Sequence, residues 1–96
     1  MKNLVITAIV KAKSEYRKDV LDLLLDMVEK TRLEEACLQY DLHQDLSDAS
    51  TFVFYEVWSD QAGLDQHNQQ PYIQLFGSII NTHLRESPQL FITQKM

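Results

Sequence analysis

The chain has 96 residues, one cysteine and a net charge of −5, and its composition is that of an ordinary globular protein. The acidic balance and the lack of a Lys/Arg cluster disfavour nucleic-acid binding, the apolar runs are too short for a membrane span, and one cysteine excludes an internal disulfide. We expect a single domain over residues 1–96 and, because the N-terminus shows no signal-peptide pattern, a cytoplasmic location.

The first two predicted elements are a strand and a long helix. Residues 4–12 alternate, with apolar side chains on both faces, which predicts a strand that is covered on both sides. From Tyr16 onward, apolar residues recur at spacings of three and four, which predicts an amphipathic helix that ends near Arg32. Ser14 is the predicted N-cap of this helix.

The second half of the chain predicts a hairpin, a broken helix and a last strand. Residues 37–44 and 51–58 alternate on either side of a polar turn, so they form the hairpin. Ser59 is predicted to cap a short helix, and Pro71 suits the first turn of a further one. Residues 89–93 make the last strand.

This order, β-α-β-β-α-β, predicts an α+β fold of the ferredoxin-like type, with an antiparallel sheet that carries both helices on one face. The other face of the sheet would then be bare, although the first and third strands are apolar on both sides. Large bare apolar faces are rare in monomers. We therefore expect a homodimer that packs the two bare faces together into a dimeric α+β barrel.

Glu56 is the most informative single residue, since it shares a strand face with Phe52 and Phe54. A carboxylate on an apolar face is costly unless it is paired, hydrogen-bonded or protonated. Glu56 is therefore either a general base or acceptor with a raised pKa, or a structural carboxylate satisfied by neighbours. His67, on the broken helix, is either its catalytic partner or a polar residue that fills the helix break.

The remaining candidates are aromatic residues and one further histidine that could surround an aromatic ligand, although core packing or an interface explains them equally well. Three scattered histidines do not indicate a metal site, and phosphate-loop and hydrolase motifs are missing. The predicted substrate-binding residues are Tyr40, His43, Phe52, Phe54, Trp58, Tyr72 and Phe76.

Three segments resemble the antibiotic-biosynthesis-monooxygenase (ABM) domain family in order and spacing. They are Glu35–Asp45, Phe52–Trp58 and Ala62–His67, the last followed by Gln70–Tyr72. Two positions depart from the family pattern: Glu35-Ala36 stands where many relatives have Pro-Gly, and Tyr72 stands where many have His.

The resemblance implies a ferredoxin-like fold and a dimeric α+β barrel, and for this chain we expect no bound cofactor or metal. Members of the family include cofactor-free monooxygenases that act on quinol or anthrone substrates. The positions that this chain shares with them imply catalytic roles for Glu56 and His67. Two alternatives stay open: an isomerase of a small carbonyl substrate that uses the same proton-transfer residues, and a non-catalytic dimeric module that binds a small molecule.

Overall fold

The structure is a computed structural model, and it describes residues 3–96. A 3₁₀ turn at Ser14–Tyr16 precedes the first helix. The strands and helices follow one another as β1 (Leu4–Lys11), α1 (Arg17–Thr31), β2 (Cys37–Gln44), β3 (Thr51–Trp58), α2 (Gln61–Asn68), α3 (Pro71–Ser78), α4 (Ile80–His83) and β4 (Gln89–Thr93).

The four strands form one antiparallel sheet in the order β2-β3-β1-β4. Together with the helices this confirms the predicted ferredoxin-like α+β fold. The register places Ile6 opposite Glu56 and Glu56 opposite Tyr40, so these three side chains lie on the same face of the sheet.

The core lies between the sheet and the helices. Since side chains alternate along a strand, the even-numbered residues of β1 and β3 all face α1 and α2. The apolar side chains buried here are Ile6, Ala8, Val10, Ala12, Val20, Leu24, Met27, Val28, Tyr40, Phe52, Phe54, Trp58, Leu64 and Leu84.

The two predicted serine caps are wrong. Ser14 begins the 3₁₀ turn, and Tyr16 precedes α1 without capping it through its side chain. The cap of α2 is Asp60, one residue after Ser59, because its Oδ1 accepts a hydrogen bond of 2.7 Å from the Gly63 amide. Pro71 does begin α3, where its missing N–H costs nothing.

No helix formed by residues 3–96 lies on the second face of the sheet. Val5, Ile9, Val53 and Val57 lie on it half-exposed, and Tyr55 is 39% exposed. Edge strand β4 is exposed along its whole length. An apolar face is therefore left open, as the strand patterns predict. No helix within residues 3–96 is long and apolar enough to cross a membrane.

Candidate active site

Glu56 is a buried carboxyl group on the helix-covered face of β3. Its Oε1 accepts a hydrogen bond of 2.9 Å from the Trp58 indole Nε1. Burial raises the pKa of Glu56 to about 7, the indole hydrogen bond opposes this shift, and the negative charge of Glu34 adds to it. Glu56 can therefore gain or lose a proton near neutral pH.

His67 is buried on α2 and pairs with a carboxylate from another part of the chain. Its Nδ1 lies 2.8 Å from Glu34 Oε2. A carboxylate oxygen only accepts, so Nδ1 carries the proton and Nε2 is left as an acceptor. Burial lowers the pKa of His67, while the hydrogen bond to Glu34 raises it, and burial is the larger effect.

Tyr72, in the first turn of α3, makes a second hydrogen bond to the same carboxylate oxygen. Its hydroxyl donates to Glu34 Oε2 over 2.5 Å. Burial and the neighbouring Glu34 raise the pKa of Tyr72, so the phenol keeps its proton. Glu34, His67 and Tyr72 therefore form one cluster, held by a shared oxygen, and we call it the Glu34 cluster.

The connection between α1 and β2 holds Glu34 in place. The Glu34 amide donates to Thr31 O, and the Ser59 amide donates to Ala36 O, so the connection is tied both to the end of α1 and to the end of β3. Gly63 leaves room for it: a Cβ at Gly63 would lie 2.1 Å from the Ala36 Cβ. This close approach brings α2, and with it His67, to Glu34.

An open cleft of about 770 Å³ lies where this connection meets α2 and α3, and Glu34 and Tyr72 form part of its lining. The volume is within the range of small-molecule sites. Glu34 Oε1 accepts no hydrogen bond from residues 3–96, and the Glu34 side chain is 13% exposed. The cleft is lined by Lys30, Leu33, Glu34, Glu35, Ala36, Ser59, Asp60, Ala62, Gly63, Gln66, Gln70 and Tyr72.

Trp58 contacts both Glu56 and His67, which belongs to the Glu34 cluster. Its indole donates to Glu56, and its ring packs against His67 with the centroids 4.6 Å apart. Tyr40 packs edge-on against both rings, at 6.4 Å from Trp58 and 5.7 Å from His67. Glu56 and His67, predicted as a catalytic pair, therefore both contact Trp58 but share no direct hydrogen bond.

The other predicted substrate-binding residues are not brought together at the cleft. Phe52 and Phe54 are buried in the closed core beneath the helices, and Phe76 is half-buried at its edge. His43 lies on the open sheet face, where its Nδ1 is 3.2 Å from Val53 O. Among the predicted site residues, Tyr72 alone lines the cleft.

Glu34 is the residue of the site that sequence reasoning missed. It stands in a short acidic connection beside Glu35, and both look like solvent-exposed loop residues. Its partners are 33 and 38 residues away. A helix end that is followed closely by a strand was the only signal, because such a connection must pass beside the elements that cover the sheet.

The family model described as antibiotic biosynthesis monooxygenase matches residues 4–77. The chain therefore belongs to the antibiotic biosynthesis monooxygenase family. No group of three His, Cys, Asp or Glu side chains within residues 3–96 is placed to hold a metal ion.

Two proteins of related sequence and two solved structures extend this result. YcnE of Bacillus subtilis, named as a candidate monooxygenase, is 36% identical over 73 residues, which cover 76% of this chain and 77% of that protein. The uncharacterised Synechocystis protein sll1783 is 32% identical over 73 residues, and the match spans 76% of this chain but only 50% of that protein.

Both solved structures share the fold across nearly the whole chain. A crystal structure described as an antibiotic biosynthesis monooxygenase is 36% identical with a TM-score of 0.91, covering 97% of this chain and 98% of that one. PA3566 of Pseudomonas aeruginosa is 27% identical with a TM-score of 0.93, covering 100% of this chain and 96% of that one.

Proposed function

We propose that the protein is a cofactor-independent monooxygenase that acts on a small aromatic substrate such as a quinol or an anthrone. The observation that carries this proposal is the Glu34 cluster: Glu34 lines a cleft of small-molecule size, and its Oε1 accepts no hydrogen bond from residues 3–96. Membership of the family supports the same reading.

The first step is removal of the substrate's acidic proton. Glu34 Oε1 accepts it, while His67 and Tyr72 hold the other carboxylate oxygen in place and so fix the direction of approach. The substrate anion is electron-rich and passes an electron to O₂. The substrate radical and superoxide then combine into a peroxide anion, which takes the proton back from Glu34 and becomes a hydroperoxide. For an anthrone, loss of water converts the CH₂ group into a carbonyl: one oxygen atom enters the product, the other leaves as water, and the substrate supplies the electrons.

Glu56 does not line the cleft, and in this scheme it influences the substrate through its charge. Below pH 7, where it is mostly a neutral acid, it adds little negative charge beside Glu34, which favours formation of the substrate anion. Once ionised, it would repel that anion through the Trp58 and His67 layer. Glu56 is therefore proposed to set the charge of the site, and Glu34 to be the first proton acceptor.

We further propose that the protein works as a homodimer through its open sheet face. The supporting observation is the row of apolar side chains that no helix covers, which includes Val53, Tyr55 and Val57. Pairing two copies of this face is the simplest symmetric way to remove it from water.

Oxygen uptake by the metal-free protein with a panel of quinols and anthrones, corrected for spontaneous oxidation, tests the function. We expect Glu34→Gln to lower the enzymatic rate on the order of 100-fold, as for loss of a general base. Glu29→Gln removes an equal charge from an exposed position of α1 and should leave the rate unchanged.

The outcomes separate the alternatives. Substrate conversion that proceeds equally well without O₂ would identify a proton-transferring isomerase instead. Binding of panel members without conversion would favour a non-catalytic module. Equal uptake rates for Glu34→Gln and the unchanged protein would refute the role of the Glu34 cluster.

A further inference from the structure

The lining of the cleft is strongly acidic. Among residues 3–96, three carboxylates contribute to it, those of Glu34, Glu35 and Asp60, against the ammonium group of Lys30. The Lys30 ammonium is already paired with Asp26 Oδ2 at 2.8 Å. The local balance of these five groups is therefore three negative charges in excess, and the field in the cleft attracts cations and repels anions.

One wall of the cleft already accommodates an ammonium group. Lys30 Nζ lies 5.9 Å from the centre of the Tyr72 ring, within the range of a cation–π contact. Lys30 is held there by an exposed ion pair, which is a weak interaction in water. A ligand ammonium could therefore displace it from the Tyr72 face at little cost.

From this cleft we infer that the protein selects aromatic ligands by charge, binding those with an amine side chain best and those with a carboxylate or phosphate worst. The inference rests on the proposed function only in taking the cleft as the substrate site. Glu35 and Asp60 are the specificity-determining residues, because Glu34 is already assigned to the substrate's acidic proton. An amine side chain would lie towards Glu35 and Asp60, with the ring hydroxyl at Glu34.

Three catechols that differ only in side-chain charge form a direct probe: dopamine, 4-methylcatechol and 3,4-dihydroxyphenylacetate. Their dissociation constants are measured by calorimetry on the full chain under anaerobic conditions, so that binding is separated from turnover. We expect dopamine to bind on the order of fivefold more tightly than 4-methylcatechol, and the carboxylate more weakly by a similar factor, as for two partly screened charge contacts.

Two substitutions remove the charges with little change in shape. In the double variant with Glu35→Gln and Asp60→Asn, the three affinities should converge, and Asn at position 60 can still cap α2 through its side-chain oxygen. Glu29→Gln, which removes a distant exposed carboxylate, should preserve the ranking. Added salt should also reduce the differences.

The inference is overturned if the three catechols bind equally, if the carboxylate binds best, or if the ranking survives in the double variant. Failure of all three to bind at millimolar concentration overturns it as well. If the unchanged protein ranks the three catechols as expected but takes up no oxygen with the substrate panel, charge selection stands and the oxygenase proposal is refuted. The two proposals can therefore fail separately.

Discussion

Replacing Glu56 with Gln should change how stability depends on pH. The amide is close to the protonated carboxyl in shape, and its oxygen can still accept the Trp58 indole hydrogen bond. A pKa raised from 4.5 to about 7 means that ionising Glu56 costs the folded protein about 3 kcal/mol relative to the unfolded chain. The figure is an upper value, because a small relaxation of the core would reduce it.

The sign follows from linkage. The unfolded chain releases the proton near pH 4.5 and the folded protein only near pH 7, so the free energy of unfolding falls as the pH rises between these values. The Gln variant lacks this loss. The difference in unfolding free energy, variant minus unchanged protein, should therefore grow by about 2 to 3 kcal/mol from pH 4.5 to pH 8 and then stay level.

Urea unfolding at fixed protein concentration, repeated across this pH range, measures the difference. Comparing the two proteins at each pH cancels the opposite contribution of His67, whose lowered pKa makes the folded protein lose stability as the pH falls below 6.5. Glu29→Gln serves as the control for a solvent-exposed carboxyl and should give a flat difference. If the Glu56→Gln difference is equally flat, the carboxyl is not desolvated and the reasoning on its pKa is wrong.

Three further predictions address the packing, the assembly and the coupling of the site. Gly63→Ala should lower the free energy of unfolding by about 1 to 3 kcal/mol in thermal unfolding, because the new Cβ meets Ala36. The additional change Ala36→Gly should restore much of this loss. If Gly63→Ala does not change stability, the close packing is contradicted. Tyr55→Glu should convert the proposed dimer into a monomer in analytical ultracentrifugation by charging the open sheet face, and an unchanged mass would place any interface elsewhere. Glu34→Gln should lower the pKa of His67 still further in an NMR titration, whereas an unchanged pKa would show that the two side chains do not interact.

The fold was largely predictable because its signals are local. Period-two alternation in residues 37–44 and 51–58 gave the bounds of β2 and β3 as the structure has them, and Pro71 marked the start of α3. The prediction that Ser59 caps α2 was wrong for a local reason as well. Ser59 and Asp60 are both good caps, and only the position of the Gly63 amide decides between them.

The site was only half predictable because it depends on distant contacts. The position of Glu56 on an apolar face of β3 predicted a raised pKa, and burial does raise the pKa of this carboxyl group, since an apolar strand face is enough to desolvate it. The choice between Glu34 and Glu35 needed the fold. Only the path of the chain after α1 decides which of two adjacent acidic residues points at His67.

The two carboxyl groups of the site have different proposed roles because their surroundings differ. Glu56 is enclosed by apolar side chains and has one neutral donor, so it favours the protonated form. Glu34 receives two hydrogen bonds on one oxygen and keeps the other open to the cleft, which suits a group that accepts a proton from a ligand. Trp58 and His67 lie between the two carboxyl groups. The groups still interact electrostatically, since the negative charge of Glu34 raises the pKa of Glu56. Loss of the negative charge on Glu34 would therefore make Glu56 easier to ionise.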